Sequence, residues 1–477
     1  MKHFSYRILS IFCVAFLLVA SSSASAQFDR YFKDATFRFD YYHTGSKGEE
    51  RISEDKMIEE GAWPGSLTNL IDTLNLGEYF FTITDIASNR IIFSRGYSSL
   101  FFEWQTTDEA LAGVYRTFNE SLRFPFPLNK FQLTILRRNK QMIFNEIFST
   151  VVDPNGGEIH REKKHVGTQV MNIFTNGDSH AKVDIVILGD GYSKSDMPKF
   201  RADARHFTDV LFGTEPFKSR KKDFNVRAVE VESRESGIDQ PDQNVWVDNA
   251  LGTTYDSFGS ARYVLTDDNK DVRDYAAVAP YDFLFILVNA NRYGGGGIFQ
   301  LYATCFATGE TPATAWQTDY VFVHEFGHSF AGLGDEYYTS STAYNDFYPK
   351  GVEPWEPNIA ANIERGSLKW KAFVDSTTSL PTPWDKAAYD SLEIERGKLR
   401  RDEEGYAEKR EAILDKERSI LDDKRFKGIV GAFEGSGYAS TGLYRPSLDC
   451  RMFSLSLTDF DPVCTNAINR MIDFYTK

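Results

Sequence analysis

Cysteine is scarce in this sequence, which has four cysteines among 477 residues and no Cys-x-x-Cys pair. A structural zinc knuckle built from closely spaced cysteines is therefore not expected. Basic residues are also outnumbered, because 54 Lys and Arg face 68 Asp and Glu and leave a formal net charge of −14. We therefore expect no nucleic-acid partner and no binding to an anionic membrane surface.

Long apolar runs are missing after the first residues, so no later segment is expected to span a membrane. Residues 1–26 begin with a charged stretch, continue with an apolar run from Ile8 to Ala20, and end in small residues. This order is typical of a secretory signal peptide, with cleavage before Gln27. We expect an exported protein, which is periplasmic, cell-surface or extracellular, and a mature chain without a transmembrane anchor.

Three cysteines stay in the mature chain once Cys13 is removed with the signal peptide. Export permits disulfides, and a bond between Cys450 and Cys464 would close a short loop and leave Cys305 unpaired. Because spacing does not determine pairing, it stays open whether Cys450 and Cys464 form this bond.

The pattern of the sequence divides the mature chain into two parts. From 27 to 165, short runs rich in Phe, Ile, Thr and Tyr are separated by turn residues, which predicts a β-sandwich. From 166 to 477, buried strands and helical periodicity alternate, which predicts a mixed α/β domain. The expected fold class is therefore α+β, with a signal peptide at 1–26, a sandwich at 27–165 and an α/β domain at 166–477.

A charged insertion interrupts the second domain from about 386 to 425. This segment is dense in Glu, Lys, Arg and Asp, while a narrow apolar stripe recurs every seven residues. The pattern predicts a solvated helix or helical hairpin on the surface. A partner could dock on this insertion or on the β domain, although a solvated surface is the simpler interpretation.

The stretch 321-VFVHEFGHSFAGLGDEYY-338 contains His-Glu-x-x-His within an apolar, helix-forming run. His324 and His328 are four residues apart, so both imidazoles project from one helical face and can reach one metal at about 2.0–2.1 Å. Glu325 lies beside the first ligand, the position from which a general base acts in zinc peptidases. The motif therefore predicts a catalytic zinc site.

The choice of residues for the third metal ligand is restricted, because no histidine lies downstream of His328. This ligand must be a carboxylate unless the chain returns to His206. In metzincins the second histidine is followed by x-x-Gly-x-x-His or x-x-Gly-x-x-Asp. Here the glycine, Gly332, comes one residue later than in that pattern, and the Gly-x-x-Asp that it begins ends at Asp335. Glycine ends a helix easily, so we predict Asp335 as the ligand, with Glu336 as the alternative.

Other segments bear on the same architecture. Another arrangement would take a Glu from a following helix, and Glu353 or Glu356 could serve, although both lie in a Pro-rich loop. Met452 follows a tight polar segment, as a Met-turn beneath the zinc does. The glycine-rich stretch 294–297 precedes the zinc helix, where an edge strand could bind an extended peptide or a mobile loop could form.

Taken together, these residues resemble the IgA-peptidase family of secreted zinc metallopeptidases. The segments that carry the resemblance are, in order, LGDGYSKSDMPKF, SRESGIDQP, HEFGHSFAGLGDEY, GAFEGSGY and YRPSLDCRMF. Residues 27–165 resemble the amino-terminal β domain of many members. The resemblance implies a metzincin-like catalytic domain at 166–477, one zinc, and endopeptidase activity on a protein or peptide substrate. It does not imply that immunoglobulin is the substrate.

The expected function is that of a secreted zinc-dependent metalloendopeptidase. Zinc held by His324, His328 and Asp335 would activate a water molecule, and Glu325 would act as the general base. The alternatives are a secreted binding protein on a degenerate peptidase fold and a zinc hydrolase of a non-protein amide. An additional calcium site stays open.

A tyrosine stabilises the oxyanion in some metzincins, and three tyrosines are candidates for this role. We take Tyr444, a few residues before the Met-turn, as the first candidate. Tyr337 and Tyr338, which follow the zinc motif, are its rivals, and ordinary packing is the simpler interpretation of each of the three.

Overall fold

The computed structural model describes residues 27–339, 347–400 and 403–477. The predicted signal peptide at 1–26 lies outside the described residues. None of the described helices is long and apolar enough to cross a bilayer.

Two four-stranded sheets form the amino-terminal part, with strand orders β5-β1-β2-β8 and β4-β3-β6-β7. Their strands are β1 (Phe32–Ser46), β2 (Glu49–Glu59), β3 (Tyr79–Asp85), β4 (Arg90–Tyr97), β5 (Arg116–Pro127), β6 (Phe131–Arg138), β7 (Phe144–Val152) and β8 (Ile159–His160). Two short helices, α1 (Leu100–Gln105) and α2 (Asp108–Leu111), lie between β4 and β5.

An aromatic core joins the two sheets of this sandwich. Side chains alternate along β3, where Tyr79, Phe81 and Ile83 are buried and the residues between them are half-buried. Phe81 packs on Phe124 of the other sheet, with ring centroids 6.0 Å apart. Side chains that alternate with period two give each sheet one buried face, and here the two buried faces pack on each other. The predicted α+β class with an amino-terminal β-sandwich is confirmed.

A six-stranded mixed sheet forms the centre of the second part, with order β13-β14-β12-β10-β11-β9. The four inner strands are parallel, and the two edge strands run antiparallel to their neighbours. The strands are β9 (Val170–Phe174), β10 (Val183–Asp190), β11 (Phe224–Val229), β12 (Phe283–Val288), β13 (Gly295–Ile298) and β14 (Tyr302–Phe306). Every residue of β10 and β12 is buried, as expected where both faces of a parallel sheet are covered.

Helices and a hairpin complete the second part. The helices are α3 (Met197–Leu211), α4 (Phe217–Arg220), α5 (Asn269–Ala276), α6 (Trp316–Ala331), α7 (Lys386–Gly397), α8 (Tyr406–Leu421) and α9 (Pro462–Thr476). Strands β15 (Phe433–Ser436) and β16 (Ala439–Arg445) pair as an antiparallel hairpin. Helices α7 and α8 pack together within the charged insertion.

Helix α6 carries the His-Glu-x-x-His motif and is packed into the core. Phe322 stacks on Phe285 of β12 and on Phe207 of α3, with ring centroids 4.0 and 4.9 Å apart. The helix ends at Gly332, whose φ of 62° is left-handed, as the sequence predicts.

The glycine-rich stretch forms the edge strand β13 and lies directly against α6. A Cβ at Gly295 would come within 2.6 Å of Val321 Cγ1, and a Cβ at Gly297 would overlap the carbonyl oxygen of Glu325. The glycines therefore allow the helix to approach the strand, and the alternative of a mobile loop does not fit the ordered pairing of β13 with β14.

The two parts of the chain are joined by buried polar contacts. Arg38 of β1 is 2% exposed and pairs with Asp40 of the same strand and with Glu60, which directly follows β2. The same guanidinium pairs with Asp274 of α5 at 2.8 Å. Because removing one partner would leave a buried charge uncompensated, this network fixes the sandwich against the second part.

Replacing Gly297 with Ala should destabilise the protein by about 1–3 kcal/mol, because the added methyl group forces α6 away from β13. The free energy of unfolding in urea measures this loss. Gly366→Ala is the matched control, since a Cβ at Gly366 meets nothing within 4 Å. Equal stability of the two variants would show that the contact between α6 and β13 is not tight.

Candidate metal centre

Three side-chain atoms converge at the carboxyl-terminal half of α6. The Nε2 atoms of His324 and His328 are 3.1 Å apart. Oδ1 of Asp335 lies 3.0 Å from the first of these nitrogens and 3.2 Å from the second. A tetrahedral zinc ion with bonds of about 2.0–2.1 Å has ligand atoms about 3.3–3.4 Å apart, so the triangle fits a cation of this size.

The turn after α6 brings Asp335 back to the histidines. The left-handed Gly332 reverses the chain, and Asn358 then holds the next segment. The amide of Asn358 accepts from the N–H of Gly334 and donates to its carbonyl oxygen, both at 2.8 Å. These two hydrogen bonds hold the segment that carries Asp335.

Both histidines are oriented through the ring nitrogen that faces away from the triangle. Nδ1 of His324 lies 3.1 Å from the carbonyl oxygen of Arg451, and Nδ1 of His328 contacts that of Leu333. A carbonyl accepts only from a protonated nitrogen, so Nδ1 carries the hydrogen and Nε2 is left to bind a cation.

The electrostatics of the triangle favour a cation. Burial raises the pKa of Asp335, but the facing His328 and His324 hold it well below its ordinary value. Burial lowers the pKa of His328, but the Asp335 carboxylate raises it to about 9. A proton therefore competes with a metal ion for Nε2 of His328, and metal binding should weaken as the pH falls.

Glu325 lies beside the triangle and faces the cleft. Its carboxylate is within 4.8 Å of a nitrogen of each histidine. Burial raises the pKa of Glu325 above the ordinary value of 4.5, which brings a carboxylate closer to the range in which a general base works.

The other candidates for the third ligand lie elsewhere. Glu336 is fully buried on the far side of the segment, where its Oε1 accepts from Asn358 Nδ2 at 2.9 Å. His206 pairs with Asp319 at the surface at 2.7 Å. Glu353 accepts from the N–H of Ala361, and Glu356 accepts from the hydroxyl of Tyr348. The geometry therefore favours Asp335 over Glu336 and the rest.

Met452 lies directly beneath α6, where the sequence predicts a Met-turn. Its side chain is fully buried, and its sulfur is 3.2 Å from the position of a Cβ on Gly327. Its carbonyl oxygen accepts from the N–H of Glu336 at 2.8 Å. The Met452 segment thus supports the helix and the third ligand together.

The structure places Tyr444 away from the centre, so its prediction as an oxyanion residue is not supported. Tyr444 lies on β16, where its backbone pairs with Ala360. It does not line the cleft, whereas Tyr337 does. Tyr338 donates to Asp390 of α7 at 2.7 Å and is also outside the cleft lining. The alternation of side chains along β16 turns Tyr444 away from the metal ligands.

Sequence reasoning missed Tyr438, whose hydroxyl donates to Oδ2 of Asp335. Tyr438 and Gly437 form the two-residue turn between β15 and β16, and both have positive φ, 63° and 55°. Such a turn matches the twist of a hairpin. The Ser-Gly-Tyr-Ala stretch was the available signal, but tyrosine is uncommon at positive φ and spacing alone does not indicate it.

The disulfide between Cys450 and Cys464, which the sequence left open, is absent from the structure. Cys450 and Cys464 are free, buried thiols whose sulfurs are 3.8 Å apart, while a disulfide requires about 2.05 Å. Cys305 is also free and buried, on β14.

A cleft of about 1420 Å³ opens in front of the triangle. The charged insertion lines one side of it through residues that include Tyr406, Arg410 and Leu414, so the insertion is not only a solvated surface. The outer edge of β13 is already occupied at both ends, because Gly295 bonds with residues 262 and 264 and Ser98 donates to the carbonyl of Phe299. Strand addition by a substrate is therefore restricted to the neighbourhood of Gly297.

Comparisons with known protein families match both parts of the chain. The family model described as IgA Peptidase M64 matches residues 171–472, which is more than half of the chain. The model described as Peptidase M64 N-terminus matches residues 27–149. Among curated proteins, none matches the sequence.

Tyr438→Phe should weaken metal binding by about 10–100-fold, because Asp335 loses a hydroxyl that donates to Oδ2 and helps to orient its carboxylate. Competition with a chelator measures the dissociation constant. Tyr444→Phe, in the same hairpin but outside the cleft, should bind the metal as the native protein does. Equal affinity of both variants would remove Tyr438 from the metal centre.

Proposed function

Since the chain belongs to the M64 family of IgA peptidases, it is a peptidase of a metallopeptidase family, and we propose that it is an exported, zinc-dependent endopeptidase. The observation that carries this proposal is the convergence of His324 Nε2, His328 Nε2 and Asp335 Oδ1 within 3.2 Å of one another.

Two imidazoles and one carboxylate are the donor set of catalytic zinc sites with an open fourth position. In this chain His324, His328 and Asp335 would hold the ion. When bound, zinc supplies Lewis-acid catalysis, because it polarises the scissile carbonyl and makes water more acidic. Tyr438 and the carbonyl oxygens of Leu333 and Arg451 keep the ligands oriented.

Glu325 would move the proton. Its carboxylate accepts a proton from the attacking water and then donates it to the nitrogen of the leaving amine. Burial supports this role, because it raises the pKa of Glu325 and makes the protonated form easier to reach during the reaction. The cleft in front of Glu325 is wide enough for a segment of polypeptide, which favours a protein or peptide substrate.

Glu325→Gln should retain its metal and lose turnover of a denatured protein by at least ~10²–10⁴-fold, because the amide cannot accept the proton. Release of new amino termini measures turnover, and elemental analysis measures zinc. Glu364→Gln, an exposed change outside the cleft lining, is the control and should behave as native. Asp335→Ala should lose one zinc relative to the native chain.

Full activity of Glu325→Gln would refute the proton-transfer role. A native protein that contains zinc but leaves denatured protein intact, while it releases products from cell-wall fragments, would instead indicate a hydrolase of a non-protein amide. A native protein that cuts neither would favour a binding role.

Export predicts a mature chain that begins at Gln27, because the small residues before it form the cleavage site. Intact-mass measurement of protein recovered from the periplasm, the cell surface and the medium identifies the start and the compartment. Recovery of a chain that still carries residues 1–26 in the cytoplasm would contradict export.

A further inference from the structure

A second group of metal-ligating side chains lies next to the first and is wholly buried. Glu336, Cys450, Asp461 and Cys464 each place one ligand atom within 4.8 Å of those of the other three. Three of these residues have no exposed surface, and Asp461 is 5% exposed. Two thiols and two carboxyl groups thus share a small volume from which water is excluded.

The distances match a tetrahedral zinc site. The sulfurs of Cys450 and Cys464 are 3.8 Å apart, and bonds of about 2.3 Å to zinc would separate two sulfurs by about 3.8 Å. Cys464 Sγ lies 3.3 Å from Glu336 Oε1 and 3.7 Å from Asp461 Oδ2. A sulfur and an oxygen bound to one zinc lie about 3.5 Å apart, so the mixed pairs also fit.

One carboxylate oxygen of the cluster has no partner among the described residues, while the other oxygen of the same residue, Oε1 of Glu336, accepts from Asn358 Nδ2 at 2.9 Å. Oε2 of Glu336 is buried and accepts no hydrogen bond from any described residue. Oδ1 of Asp461 accepts from the N–H groups of Val463 and Cys464. Its Oδ2 is directed toward the thiols, with Cys464 Sγ at 3.7 Å. Since a buried polar atom without a partner is costly, this oxygen of Glu336 calls for a ligand.

The surrounding protein compensates little of the negative charge that these ligands would carry. Two buried arginines lie nearby: Arg445 donates to the carbonyl oxygens of Gly435 and Leu448, and Arg451, directly after Cys450, donates to those of Thr458 and Leu457. Among the described residues, no ion pair joins either arginine to Glu336 or Asp461. The N–H of Asp461 points to Cys450 Sγ at 3.4 Å, a contact that stabilises a thiolate.

We propose that Cys450, Cys464, Asp461 and Glu336 hold a second, structural metal ion, and that this ion is zinc. Two thiolates select a soft or borderline cation, and a closed set of four protein ligands is typical of a structural site rather than a catalytic one. The cation would neutralise charges whose joint burial is otherwise unfavourable.

The site would join the three segments that support the catalytic ligands. Glu336 directly follows Asp335, and Cys450 lies two residues before Met452. Asp461 is the N-cap of α9, and Cys464 lies in its first turn. One ion bound here would therefore connect the segment of the third ligand, the Met-turn and the last helix.

The native protein should contain about two zinc ions per chain. A variant with both His324→Ala and His328→Ala should retain one zinc ion, because the ligands of the second site include no histidine. After cobalt is substituted for zinc, this variant should show the ultraviolet charge-transfer absorption of thiolate bound to cobalt. The first site has no sulfur ligand, so the absorption reports the second site alone.

A variant with both Cys450→Ser and Cys464→Ser should lose the absorption and one zinc. Cys305→Ser is the matched control, since Cys305 is equally buried but lies outside the cluster, and it should keep both. If the double serine variant does not fold, the cobalt spectrum of the histidine variant still decides the question.

Two results would overturn the second site. One reactive thiol in the unreduced, denatured native protein, rather than three, would show a disulfide between Cys450 and Cys464. Three reactive thiols without cobalt absorption in the histidine variant would show a thiol cluster that binds no metal. A histidine variant that contains as much zinc as native would instead contradict the catalytic site, so the two proposals fail separately.

Discussion

The close contact between helix α6 and the edge strand β13 is the constraint on which the rest of the structure depends. Any side chain at Gly297 would meet the backbone of Glu325, and one at Gly295 would meet Val321. Because three of the four residues of β13 are glycines, α6 packs close to the edge of the sheet, and its His-Glu-x-x-His motif lines the cleft. The positions of both histidines and of the acidic residue between them follow from this approach.

The ligands on α6 are completed by chain segments that are distant in sequence. The carbonyl of Arg451 orients His324, the hairpin at Tyr438 contacts Asp335, and the amide of Asn358 holds the turn at Gly334. Each contact involves a different loop or turn, and all of them are buried or half-buried. A metal centre assembled in this way depends on the tertiary fold of the whole second part rather than on one helix.

The sequence predicts what depends on short-range geometry. The spacing of His324 and His328 follows from the helical period, and Gly332 marks the helix end, so the His-Glu-x-x-His motif and its helix could be recognised from the sequence alone. The contact of Tyr438 with Asp335 and that of Cys464 with Glu336 could not be predicted in this way. The two residues of each pair are more than 100 positions apart in the sequence. The charged insertion was recognised as helical, but its place beside the cleft depends on long-range packing that periodicity does not encode.

The amino-terminal sandwich contributes to the wall of the cleft, since Ser98 and Glu103 line it. Glu103 accepts from the hydroxyl of Tyr263, which also packs against the glycine strand. The space available to a substrate is therefore shaped by both parts of the chain. Substitutions in the sandwich would change which substrates fit the cleft while the metal ligands stay the same. Substrate selectivity and catalytic chemistry can therefore evolve on separate parts of the chain.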